Sequence, residues 1–414
     1  MALNYIWVGF FLIAFIVGLI KLIFLGDTEI FAIMMKALFD RAKLGFELSL
    51  GLTGILALWM GIMKIGEKGG MINILARMVS PLFTRLFPEV PKDHPAIGSM
   101  MMNFSANMLG LDNAATPLGL KAMKDLQELN PKKDTASNAQ IMFLVLNTSG
   151  LTLIPVSILA LRAMKGSTNP TDVFLPILIA TFVASMVGLI VTAVIQKINL
   201  FHQVVLAYLL GATALIGGMA WYVWQLKDPE KIQTFTNIFS NLLLFSIIIS
   251  FISVALFKKI NIYDAFIEGA KDGFQVAVSI IPYLVAMLAA IGVFTASGAM
   301  DWVLDVFRFG FAHLGIDTRF VDGLPTAFMK PLTGGGARAA MVESWVDHGV
   351  DSFVGHLTSI LQGSTETTFY VLAVYFGSVK VKKTRYAASV GLIADFAGIV
   401  AAIIVTYLFF GGMK

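Results

Sequence analysis

The sequence contains no cysteine, which excludes disulfides, iron–sulfur clusters and thiolate metal sites while leaving the compartment open. Charge is also scarce. Asp, Glu, Lys and Arg make up 14% of the chain, where a soluble domain carries roughly 25%. Four segments, 173–196, 203–226, 232–257 and 276–300, contain none of these residues, and each exceeds the about 20 residues that cross a bilayer as a helix. The alternation of a membrane β-barrel is missing. So are HExxH, a P-loop, paired carboxylates at helical spacing in one span, and any Ser–His arrangement sharing a span. The histidines His94, His202, His313, His348 and His356 are scattered without ligand spacing. The expectation is therefore no enzyme, no metal and no cofactor, and ATP-driven pumping would need another subunit.

What fills the chain is apolar: hydrophobic residues reach 57%. The stretch "YIWVGFFLIAFIVGLIKLIFL" at 5–25 has no basic n-region and no small-residue cleavage pattern, and is too long for a typical signal core, so it reads as a first span. An internal repeat follows. "ALFDRAKLGFELSLGLTGILALWMG" from 37 aligns with "AFIEGAKDGFQVAVSIIPYLVAMLA" from 265, pairing Ala42 with Ala270, Lys43 with Lys271, Gly45 with Gly273 and Phe46 with Phe274. "LGLDNAA" at 109–115 then matches "GGGARAA" at 334–340, and "LNTSGLTLIPVSILAL" at 146–161 matches "LQGSTETTFYVLAVYF" at 361–376.

Spans are expected near 5–25, 44–64, 138–162 and 172–196 in the first copy, and near 236–257, 273–297, 353–379 and 386–410 in the second, with 203–225 between them. An odd number of crossings then separates the start of one copy from the start of the next, so the copies are inverted, as in many transporters. Basic residues fit this arrangement. Lys64, Lys68, Arg77, Arg85, Lys92, Lys121, Lys124, Lys132 and Lys133 share one side with Lys258, Lys259, Lys271, Lys380, Lys382, Lys383 and Arg385, which makes that side cytoplasmic. The segment 298–350 holds only Arg308, Arg319, Lys330 and Arg338 as basic residues and falls outside. The expected fold is an all-α polytopic membrane protein of two inverted repeats with re-entrant hairpins and broken helices, crossing about nine times. Its parts are 1–198, a linker helix at 199–230, and 231–414. The N-terminus is expected to be cytoplasmic and the membrane to be the bacterial inner membrane.

Polar nicks mark the candidate site. Glu366 lies inside an expected span, where a charge costs about 2.5–3.5 kcal/mol on insertion scales and so should face a cavity or partner. Gln362, Gly363, Ser364, Thr365, Thr367 and Thr368 surround it, and Asn147, Thr148, Ser149, Gly150 and Thr152 form the matching nick, with Pro155 breaking the same helix. Hydroxyls here serve either a ligand or a neighbouring helix. "NFSANMLGLDNAATPLG" (103–119), with Asn107, Asp112, Asn113 and Thr116, and "MKPLTGGGARAAM" (329–341), with Gly334, Gly335, Gly336 and Arg338, read as hairpins too short for full crossings. Half-helix N-termini at such tips attract anionic groups, and unwound carbonyls hold cations. Arg338 either forms a fixed bridge with Asp112 or Glu366, or joins them in a site for a polar solute. Asp395 in "GLIADFAGIV" is a further intramembrane acid, a proton relay or an interhelical hydrogen bond.

"NMLGLDNAATPLGLKAM" and "NTSGLTLIPVSILALRA" resemble spore maturation protein A, while "IIPYLVAMLAAIGVF", "GSTETTFYVLAVYFGSV" and "GLIADFAG" resemble spore maturation protein B. The two look fused head to tail, with the junction near 195–205. Both belong to the nucleoside-recognition gate group, which also contains concentrative nucleoside transporters. The resemblance implies a transporter-like membrane protein for a small polar solute, nucleoside-like by analogy. Read as intramembrane acids, apart from the resemblance, Glu366, Asp112 and Asp395 are candidates for Na+ or H+ coupling. The alternative is a non-transporting module supporting envelope or spore-maturation machinery. Expected partners are the lipid bilayer, the solute and further copies of the chain, with no nucleic acid.

Overall fold

The computed structural model describes residues 2–110 and 112–413, with the side chains of 2–4, 112–114 and 229 outside the description. The regular elements are helical, and two runs of them follow one order. The first comprises α1 (Ala2–Leu25), α2 (Ile30–Gly69), α3 (Met71–Leu86), the hairpin α4 (Pro95–Met108) and α5 (Asp112–Leu129), the interrupted pair α6 (Asn138–Ser149) and α7 (Val156–Met164), and α8 (Phe174–Ile195). After α9 (Gln203–Leu226) come α10 (Pro229–Phe257), α11 (Ile262–Ala296) and α12 (Ala299–His313). A 3-10 turn, Arg319–Gly323, then leads into the hairpin α13 (Leu324–Met329) and α14 (Gly334–His348). The interrupted pair α15 (Phe353–Gly363) and α16 (Thr368–Ser378) and finally α17 (Ala387–Phe410) complete the second run.

Among the described residues, seven helices (α1, α2, α8, α9, α10, α11 and α17) are long and apolar enough to cross a membrane. Phe24 on α1, Leu215 and Trp224 on α9, and Phe245 and Phe257 on α10 are exposed, a density of bare apolar side chains suited to lipid rather than water. The other two expected spans, 138–162 and 353–379, are not continuous: non-helical backbone interrupts them at 150–155 and 364–367.

Two expected boundaries are corrected. The span expected at 44–64 belongs to α2, which runs unbroken for 40 residues, about 60 Å at 1.5 Å per residue. The span expected at 273–297 likewise begins at Ile262. Charged residues occupy both N-terminal stretches, and ionic partners for several of them let the helix continue. Arg41 Nε lies 2.7 Å from Glu343, and Lys64 and Lys68 both meet Glu268. A left-handed glycine stands within two residues of the end of each long helix, Gly70 at φ 86° directly after α2 and Gly298 at φ 84° beyond Ser297 after α11, a conformation that glycine adopts without a steric penalty.

α2 and α11 pack antiparallel. Gly45 lies against the backbone of Leu284 and Val285, and Gly273 against that of Leu56 and Ala57. The alignment that pairs Gly45 with Gly273 also pairs Ala57 with Val285, so one contact is made twice, once in each direction. Arg41 over Gly292 and Lys64 beside Gly269 form a second such pair. Lys21, near the end of α1, sits over Gly298, and Lys258, just past α10, over Gly70.

The interrupted helices also run antiparallel. At one end, the N–H groups of Lys382 and Lys383 each donate to Asp134 O at 2.9 Å. At the other, Asp351 accepts from Ser167 Oγ (2.6 Å), Thr168 N (2.8 Å) and Thr168 Oγ1 (3.0 Å). Burial raises the Asp351 pKa, but these hydrogen bonds and the Arg162 charge outweigh it and hold the group below the usual carboxylate range. A carboxylate depressed in this way contributes stability above its unfolded pKa and loses it as pH falls through the folded value. Acidification below about pH 4 should therefore loosen this end. Asp351→Asn is expected to melt earlier at neutral pH and to lose less on going to pH 3.5, as read by thermal unfolding in detergent.

Candidate functional site

A cavity of about 130 Å³ lies where the four interruptions meet, room for several waters or one small solute. The α4–α5 turn contributes Asn107 and Gly110, and the α13–α14 turn contributes Lys330, Gly334 and Arg338. The first helix break supplies Gly150, Thr152 and Pro155, and the second supplies Thr365, Glu366 and Thr367, with Gln362 just before it.

Local chemistry explains the breaks. Gly150, at φ 41°, ends α6, and Pro155 precedes α7 without an N–H to offer. Each break then pairs with the hairpin turn of its own half. Leu153 N donates to Met108 O at 2.8 Å, and Phe369 N to Pro331 O at 3.0 Å. One bond ties the breaks to each other, Glu366 N to Thr148 O at 2.8 Å. These three bonds pair part of the freed backbone inside the protein, as the interior of a membrane requires.

Of the residues singled out from sequence, Asn107, Gly334, Arg338, Gln362, Thr365, Glu366 and Thr367 line the cavity. Asn147 stands behind it, accepting from Asn107 Nδ2 at 2.7 Å while donating to Phe143 O at 2.8 Å, and so orients Asn107. The hydroxyls of Thr148, Ser149 and Ser364 bond to carbonyls of their own helices. Gly336 packs against Met329 and Thr333, and Gly335 faces Thr333 and Tyr283. Asp395 is buried on α17, between Gly391, which faces Thr368, and Gly398, which faces Thr365. It therefore backs the second break rather than lining the cavity. Thr116 is exposed on α5 and is not among the cavity-lining residues. The side chains of Asp112 and Asn113 lie outside the described residues. Among the described residues, no group of three or more His, Cys, Asp or Glu is placed to hold a metal ion.

Sequence reasoning passed over two features. Lys330 is buried and lines the cavity; its signal in the sequence is a cation placed beside Pro331 and the three glycines of "MKPLTGGG". Fully buried Arg162 gathers Asp172 and Asp351, each at 3.0 Å, at the far end of the broken helices. His356 meets Asp172 at 2.9 Å there.

Seven long apolar helices, two interrupted ones and a polar cavity among the interruptions define a polytopic helical membrane protein with two matching halves. The chain belongs to the gate family described as nucleoside recognition, whose model matches residues 49–165 and 277–382, one segment in each half. It is 39% identical to "Spore maturation protein A" of Bacillus subtilis (strain 168) over 188 residues, covering 45% of this chain and 92% of the relative. To "Spore maturation protein B" of the same organism it is 47% identical over 154 residues, covering 37% of this chain and 85% of the relative. It is thus a fused gate-domain protein homologous to both. No solved structure matches.

Proposed function

We propose that this chain acts as one membrane module of the spore-maturation kind, serving envelope or spore-maturation machinery. The observation that carries this reading is that a single polypeptide matches nearly the full length of two relatives, each named for spore maturation. The gate units are taken as 1–198 and 231–414, joined by a linker helix at 199–230. Contacts made once in each direction between α2 and α11 support an inverted pairing of the halves. The antiparallel broken helices support their counting as crossings, about nine in all, with re-entrant hairpins between them and a cytoplasmic N-terminus. Further copies of the chain are expected to assemble with it.

A second reading is favoured by the cavity itself: ion-coupled alternating access for a small polar solute, nucleoside-like by family analogy. In it Asn107, Gln362, Thr365, Glu366, Thr367, Gly334 and Arg338 contact solute, with Glu366 and Asp395 candidates for Na+ or H+ coupling. Broken helices meeting at one polar cavity are the geometry such mechanisms use.

Proteoliposome uptake of nucleosides, amino acids and organic acids separates the two. Under the first reading no solute is taken up, and a defined membrane partner copurifies with the chain. Under the second, uptake occurs and Glu366→Gln reduces it by about tenfold or more, the scale set by removing a charged hydrogen bond worth about 1.5–3 kcal/mol. Uptake unchanged by Glu366→Gln removes that residue from the mechanism.

A further inference from the structure

A second, larger cavity of about 260 Å³ lies in the second half alone, away from the helix breaks. Asp301 on α12, Asp322 in the 3-10 turn, and Glu343 and Asp347 on α14 line it, with Arg308 and His348. The cations at hand are shared out. Arg308 holds Asp305 as well as Asp322, Arg41 reaches Glu343 at 2.7 Å and Asp347 at 3.8 Å, and Lys165 lies close enough to act on Glu343 electrostatically. Arg41, Lys165 and Arg308 thus face Asp301, Asp305, Asp322, Glu343 and Asp347. The lining therefore stays net negative.

Two observations set this apart from an ordinary solvated acidic face. Glu343 is 4% exposed, and although Oε2 meets Arg41, its Oε1 has no hydrogen-bond partner among the described residues. A buried carboxylate oxygen left unpaired is costly unless something arrives to meet it. The repeat supplies the other observation. Where the second half has Glu343 and Asp347, the first builds the matching helix α5 with Leu118 and Ala122, and Asp301 corresponds to Asn73. The hairpin scaffold thus forms without these acids.

We infer that this cavity binds an organic cation, an ammonium or guanidinium group, seated between Glu343, Asp347 and Asp301. The carboxylates are distributed along the walls and do not gather into a chelate: no group of three or more ligating side chains among the described residues is placed to hold a metal ion. Separated acceptors of this kind suit a cation with several N–H donors. The group comes either from a soluble amine or from the headgroup of an amine-bearing lipid, since α12 also exposes Trp302 and Val306 beside the site.

The test uses the purified full chain, with spermidine and agmatine as probes and Mg²⁺ and Na⁺ at matched ionic strength as controls, read by calorimetry and thermal shift. A saturable response to the amines, absent with the inorganic ions, is expected. Asp301→Asn and Asp347→Asn should each weaken it by about tenfold, one charge-assisted contact. Glu343→Leu, which restores the first half's residue, should abolish it, and the Asp variants carry the test if that one misfolds. In the lipid arm, native mass spectrometry should find phosphatidylethanolamine retained over phosphatidylglycerol by the wild type, and this preference lost in the same variants. Retained lipid without amine binding assigns the headgroup as the source. An equal response to Mg²⁺, affinity unchanged in Asp301→Asn and Asp347→Asn, or no binding in either arm up to about 10 mM amine, weaker than the millimolar end of the usual affinity scale, overturns the inference.

Discussion

Arg162→Met is expected to lower the unfolding free energy by about 3–5 kcal/mol, the cost of removing one partner from a buried ion pair. The Arg162 side chain is fully buried, and its terminal nitrogens bind the second half as well as the first. Nη1 donates to Val350 O at 3.0 Å and Ser359 Oγ at 3.2 Å, while Nη2 donates to Asp172, Asp351 and Ser167 Oγ. Without it, Asp172 stays buried, with the His356 ring Nε2 2.9 Å from its Oδ2. Methionine fills much of the same space, so the loss measured is electrostatic rather than a void. Arg162→Lys should fall between, because an ammonium keeps the charge but cannot reproduce the planar fork. Arg162→Met combined with Asp172→Asn should recover part of the loss, because the orphaned charge is gone. Breaking the exposed Lys43–Glu47 pair should move stability by no more than about 0.5 kcal/mol. Chemical unfolding in detergent, followed by tryptophan fluorescence, reads all of these. An Arg162→Met variant within 1 kcal/mol of the wild type, on that same scale, would mean that the two halves are not clamped here.

The contrast between Arg162 and Glu366 shows what the sequence could reveal. Glu366 was conspicuous because hydroxyls and a glycine surround it within a long apolar run, a local signal that needs no partner to be read. The breaks at Gly150 to Pro155 and around Glu366, and the turns at Gly110 and Gly334, carry the same kind of signal. Helix length was harder to read. The charged stretches 36–47 and 264–272 interrupt hydropathy, and the distant partners that accommodate some of these charges in a helix, Glu343 for Arg41 and Lys64 and Lys68 for Glu268, are set by the tertiary fold. Arg162 lies at the far limit of legibility. At the end of an apolar run it reads as a basic residue near the membrane surface, and its acidic partner Asp351 lies 189 positions away. The two meet because the broken helices are antiparallel, a fact of tertiary arrangement. Thr116 fails for a related reason: its neighbours in "DNAATPLG" are as polar as those of Asn107, but helical phase turns it outward.

Gly273→Ala is expected to destabilise the chain by about 1–3 kcal/mol, the usual range for overpacking, and Gly273→Val by more. A Cβ at this position would sit 2.6 Å from Leu56 O and 2.7 Å from Ala57 Cα. Both atoms are backbone, so no side chain can swing aside and the helices themselves must part. Separation is costly in a membrane. Lipid tails offer apolar surface as good as a neighbouring helix, so close approach and its van der Waals contact hold helices together. The symmetry-matched Gly45→Ala should be milder, since its nearest backbone neighbours, Val285 N and Cα, stand at 3.0 Å. Gly54→Ala on the same helix α2 meets nothing within 4 Å. It should be neutral or stabilising by up to about 1 kcal/mol through helix propensity alone. Gly45 and Gly273 contact separate stretches of the seam, so their penalties should add. The order of midpoints in detergent unfolding is then Gly54→Ala at or above wild type, Gly45→Ala below it, Gly273→Ala lower still and the double variant lowest. Equal midpoints for Gly273→Ala and Gly54→Ala would mean that α2 and α11 do not touch backbone to backbone. The inverted pairing would then lose its principal support, because the twice-made contact is the feature of this seam that a parallel arrangement of the halves cannot reproduce.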